Sequence, residues 1–183
     1  MDDRRLREYA INIYKGISGY TLNKAFSLFP KYYPKIAFYY AEILTKQQNE
    51  MSMRMIQALG IDKGRALLNE LNILNERMSK FYVNAKFKLD QSYRKIEAVA
   101  DEDKRNVAKK ESLTGRQIAA QTRKFLEQGS NLLNKIYDEA KEYNFIGLEN
   151  SVLETMEMNK RVNNELANLN IKFYEYVKKQ YQT

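Results

Sequence analysis

The chain has 183 residues, with 31 Lys and Arg against 23 Asp and Glu, for a formal net charge of +8. It contains no His, Cys or Trp, which removes the commonest general base, the thiol nucleophile and every transition-metal ligand set except carboxylates, so neither enzyme chemistry nor a metal or cofactor is expected. Seven Gly and two Pro leave little turn material, and the length suits one domain, so composition favours long helices.

Leu6, Ala10, Ile13 and Ile17 recur at helical spacing, which predicts a short amphipathic helix over 3–16, ended by Gly16, Ser18 and Gly19. Thr21 can cap a second short segment reaching Phe29. Pro30 and Pro34 then bracket "PKYYP", which must be extended or turned, because each proline pushes its predecessor out of the α region. Pro34 suits the first turn of a helix over 34–59 that Gly60 closes.

Asp62 can cap the next helix, which runs to Ala100 and carries an eleven-residue apolar repeat: Leu67, Met78, Leu89 and Ala100; Leu71, Tyr82 and Tyr93; Leu74, Ala85 and Ile96. Eleven residues over three turns is close to the pitch of a straight helix, so one stripe stays on one face. Such a helix must pack lengthwise on partners of similar length.

"DEDKRNVAKKES" (Asp101 to Ser112) interrupts the stripe and reads as a connection or a solvated helix end. Periodicity resumes at Ile118, Thr122, Phe125, Leu132, Leu133, Ile136, Ala140 and Tyr143, giving a helix to Asn144. A turn at "NFIGLEN" follows, and Ser151 with Glu154 forms a candidate capping box. Val152, Thr155, Asn159, Val162, Leu166, Leu169, Phe173 and Tyr176 then alternate at three and four residues; Asn159 either fixes register in this seam or points outward. The expected fold is all-α: an elongated helical bundle over 34–183 with a basic, Tyr-rich N-terminal helical arm over 1–33.

Charge and aromatic residues carry the functional reading. The first hundred residues hold 17 basic and 10 acidic side chains and so supply seven of the eight excess charges. No Asp or Glu occurs from Tyr9 to Ala41, a stretch with Lys15, Lys24, Lys31 and Lys35 and half of the fourteen tyrosines. Lysine neutralises phosphate and a phenol donates to it, so this stretch suits a polyanion track. It equally suits an interfacial segment in which Tyr and Phe, among them Tyr20, Tyr32, Tyr33, Tyr39 and Tyr40, bury area against the bundle or a partner and the four lysines stay solvated. For a membrane-surface helix its lysines are sparse.

A second basic feature lies on the long helix, where Arg77, Lys80, Lys88 and Lys95 share a sector opposite Leu71, Leu74 and Met78. Asp90 is the only acid between Glu76 and Glu97. A merely solvated face has the same composition. No Arg, Asn and Gln cluster marks a base-reading helix end, so any DNA binding is to backbone and shape. Asp101, Glu102 and Asp103 lack the spacing of a calcium loop and read as helix capping. No phosphate-loop, dinucleotide or zinc-protease pattern is present. No run reaches the ~20 apolar residues of a membrane span, and residues 1–20 do not read as a targeting peptide.

The segments "RRLREYAINIYKG" (Arg4 to Gly16), "FPKYYPKIAFYYAEILTK" (Phe29 to Lys46) and "ALGIDKGRALLNEL" (Ala58 to Leu71), in a small, basic, Tyr-rich helical chain, resemble the major coat proteins of filamentous and rod-shaped double-stranded DNA viruses of hyperthermophilic archaea. The resemblance implies a virion protein that wraps DNA without sequence preference, commonly in A form, through its N-terminal helices, and that assembles with itself or a paralogous subunit into a filament. Carried over, it puts Arg4, Arg5, Arg7, Lys15, Lys24, Lys31 and Lys35 on the DNA. The alternative is a cytoplasmic, non-enzymatic helical-bundle module of bacterial or phage origin that binds another protein.

Overall fold

The computed structural model describes residues 2–142 and 149–180. Among them the order is α1 (Asp3–Tyr14), α2 (Leu22–Leu28), α3 (Tyr33–Ala98), α4 (Asp101–Ala140) and α5 (Glu149–Gln180). Asp2 caps α1 by accepting from the Arg4 amide at 3.2 Å, and Thr21 caps α2 by accepting from the Lys24 amide at 3.0 Å. Pro34 sits in the first turn of α3, where its missing N–H costs nothing.

Gly60 divides α3. Its φ of +84° and ψ of 174° lie in a region open essentially to glycine alone. The two limbs on either side, residues 33–59 and 61–98, fold back on each other. Thr45 Oγ1 meets the Tyr82 hydroxyl at 3.0 Å, Asn49 donates to Asn75, and Tyr32 stacks on Tyr93 with centroids 5.8 Å apart. These pairs keep one register, so the limbs are antiparallel. Asp62 lies just past the break, as the reading of two successive helices requires.

Val99 and Ala100 are extended and link the second limb directly to α4. So short a link forces antiparallel neighbours, and contacts of Phe81 with Phe125, Ser92 with Glu111 and Glu70 with Lys135 run down the pair. The segment 101–112 is therefore the first three turns of α4, the solvated helix end of the two alternatives and not a connection. Its acids Asp101, Glu102 and Asp103 occupy the first turn, where carboxylates oppose the exposed amide dipoles. α5 returns along α4 and closes on the first limb through Tyr33 and Phe173. The result is an up-down-up-down bundle of four rods.

The eleven-residue stripe faces the core, with Leu67, Leu71, Leu74, Met78, Tyr82, Ala85 and Leu89 all buried. The seam of α5 does likewise from Val152 to Leu169, and Asn159 points inward, 1% exposed. Ser151 stands inside α5 and does not cap it. α4 ends at Ala140, and Asn144 with most of "NFIGLEN" lies outside the described residues.

The N-terminal arm is docked. Leu6 and Ala10 are buried, and α1 lies in the groove between the limbs, where Arg7 and Lys86 line one hollow and Asp3 and Arg94 another. Burial raises the Asp3 carboxyl, but the Tyr39 hydroxyl bonded to it and the Lys35 ammonium outweigh this and hold it below the usual carboxylate range.

Candidate nucleic-acid interface

The acid-free stretch is spent largely on internal packing. Tyr33, Tyr39 and Tyr40 are buried in the chain's own core, so they do not supply the surface expected of interface tyrosines. Burial pushes the Tyr33 and Tyr39 phenols up, and Tyr40 to about 12, so all three stay neutral. Tyr20 is half-buried against Tyr9, and Tyr32 is half-buried on Tyr93. The buried rings of Tyr33, Tyr39 and Tyr40 each remove enough area from water to contribute about 1.5–3 kcal/mol to the fold.

Lys35 is likewise engaged inside. Its side chain is 12% exposed, and Nζ lies 2.7 Å from Asp90 Oδ1 and 3.3 Å from Asp3 Oδ1. It is not free to meet a phosphate. Arg7 is half-exposed but tied to Asp3 at 3.4 Å, with its guanidinium 4.6 Å above the Tyr39 ring. Arg4 pairs with Glu8 on the surface. Arg5, Lys15, Lys24 and Lys31 are exposed. Lys31 lies beside the Tyr32 ring at the proline end, whereas Lys24 belongs to α2, whose Asn23 bonds Glu165 of α5. The arm's cations thus do not form one track.

The second limb gives a more coherent surface. Its core stripe turns Arg77, Lys80, Lys88, Arg94 and Lys95 outward, all exposed. Asp90 leans away, paired with Lys35 and, at 3.6 Å, with Lys86. The one acid inside this run is thereby neutralised from within. Lys80 holds Glu76 at 3.2 Å, but both side chains are about 70% exposed, so the pair is weak.

α4 completes the surface. Lys88 and Lys95 from the second limb and Lys110 from α4 line a cleft of about 390 Å³ with the neutral donors Gln91, Thr114 and Gln117. Glu111 is 7% exposed at its floor, where it accepts from Ser92 at 2.6 Å and pairs with Lys95 at 3.5 Å. Three ammonium groups thus face one buried carboxylate. Cations of two elements, the second limb and α4, therefore lie side by side. Lys110 lies in the segment whose composition suits either a connection or a solvated helix end; helical spacing from Glu111 to Ile118 is the signal that assigns it to α4.

This arrangement defines an all-α bundle with a basic outer ridge. Among the described residues no group of three acidic side chains is placed to hold a metal, and no helix is long and apolar enough to cross a membrane. No known family, curated protein or solved structure matches the chain.

Proposed function

We propose that the chain is a structural, non-enzymatic protein that binds the phosphate backbone of double-stranded DNA without reading its sequence. The observation that carries this is the outward ridge of the second limb, where Arg77, Lys80, Lys88, Arg94 and Lys95 are exposed while Asp90 and Glu111 are turned inward and paired. A run of cations with its carboxylates withdrawn fits a polyanion, and lysine-rich ridges engage backbone rather than base edges. In the coat-protein form of this proposal the ridge, more than the arm, lies on DNA, and copies of the chain assemble along it.

Direct competition tests the proposal. Duplexes of unrelated sequence should displace a labelled duplex equally well, and electron microscopy of the mixture should show DNA covered by protein. Strong preference for one sequence, or no binding at low salt, would contradict it.

A second reading rests on a specific feature of the same ridge. Ile73, Val83 and Phe87 are 60–71% exposed between the cations, as a protein-binding face requires. In that case Phe87→Ala abolishes self-assembly or partner binding and leaves DNA affinity unchanged.

A further inference from the structure

A second feature of the bundle is independent of the basic ridge. Between α4 and α5, floored by Ala37, Phe38 and Ala41 of the first limb, runs a cavity of about 350 Å³. A smaller chamber of about 70 Å³ adjoins it through Pro34, Leu89, Gly115 and Phe173. The space exists because the walls are small: Ala119, Ala120 and Ala167 stand where larger side chains would close the seam. Its volume lies within the ~300–1,000 Å³ of small-molecule sites, and bundle cores are a common place for them.

The charges around this cavity have one sign. Among the described residues Arg116 and Arg123 are the only charged side chains lining the larger space, which no Asp or Glu lines, while Lys31 and the paired Glu111 border the smaller chamber. The Arg116 guanidinium lies 4.0 Å from the Tyr174 ring centroid, and Arg123 Nε donates to Asn163 Oδ1 at 3.0 Å. Both side chains therefore reach from α4 to α5 across the seam, two turns apart. Neither has a carboxylate partner among the described residues. An apolar chamber edged by two unneutralised guanidiniums matches an apolar chain that ends in an anion, since Arg binds a carboxylate through two parallel N–H bonds.

We infer that this cavity binds a single-chain fatty acid, its alkyl tail between Phe38, Leu89 and Phe173 and its carboxylate at Arg116 or Arg123. Gly115 supplies the means to test it. A Cβ added there meets nothing within 4 Å, so Gly115→Leu fills the junction of the two chambers and also replaces a poor helix former.

The experiment is displacement of dansyl-labelled undecanoic acid from the full chain by palmitate and by hexadecanol. Saturable binding is expected, with palmitate at least tenfold the better competitor. Gly115→Leu should bind at least tenfold more weakly without a lower melting temperature, and Ala119→Phe repeats the test one turn further along the same α4 wall should that variant unfold. Arg116→Ala with Arg123→Ala should bring the two competitors to equal affinity. Absence of saturable binding, equal competition in the parent chain, or undiminished binding by the folded filled-cavity variants would overturn the inference.

Discussion

Lys35 and Asp90 meet at 2.7 Å across the two limbs of α3, and this pair decides which charges the surface presents. It holds the start of the first limb to the second and neutralises the one acid between Arg77 and Lys95. Lys35→Met leaves Asp3 and Asp90 facing each other without the cation, so a loss of about 2–3 kcal/mol is expected in chemical denaturation. DNA affinity should also fall, because Asp90 is released toward the ridge. A variant with unchanged stability would show that the pair is incidental.

Gly60 governs the hairpin. Its backbone angles exclude a Cβ, so Gly60→Ala should cost about 1–3 kcal/mol although alanine favours helix everywhere else. Chemical unfolding midpoints compare the two chains, and a stabilised alanine variant would mean that the limbs continue straight.

Gly129 reports on packing inside the bundle. A Cβ there would lie 2.6 Å from Gln48 Oε1, and Gln48 is fully buried. Gly129→Ala should therefore destabilise by about 1–3 kcal/mol, against the ~1 kcal/mol that helix propensity alone returns. In a double-mutant cycle Gln48→Ala should relieve most of the loss. Additive effects would rule out the contact as the cause.

Alkaline titration tests the burial of the aromatic stretch. Burial raises Tyr33, Tyr39, Tyr40 and Tyr82, with Tyr40 at about 12. A folded pKa above the unfolded value of about 10 gives stability that is complete below pH 10 and lost as pH rises through the folded value. Tyrosinate absorbance should thus show these four phenols ionising only above pH 10 and together with the loss of helix. A single transition near pH 10 with the helix intact would contradict the burial.

The bundle was legible because its signals are local and repeated. The eleven-residue stripe, the seam of α5, Thr21 and Gly60 each declare a face, a cap or a break without reference to the rest of the chain. The acid-free stretch is less legible for the converse reason. Tyr33, Tyr39 and Lys35 look like surface chemistry in sequence, and only distant elements turn them inward: α5 covers Tyr33 through Phe173, α1 meets Tyr39 through Asp3 and Arg7, and the second limb takes Lys35 at Asp90. The cleft is hidden by the turnaround itself, since Lys88 and Lys110 line it from opposite sides of Val99 and Ala100, next to a charged segment whose composition suits a loop as well as a solvated helix end. Asn159 could be placed on the seam by spacing, but its inward direction depends on the other rods.

The salt dependence of duplex DNA binding is the decisive measurement. Each phosphate neutralised contributes about 0.9 to the slope of log K against log salt. Lys88→Glu, Lys95→Glu and Lys110→Glu together should lower affinity and flatten that slope by about 2–3 units. Lys15→Glu with Lys24→Glu, remote from the ridge, should change it little. If the triple reversal bound with the parent's affinity and slope, the ridge would not be the DNA-binding surface.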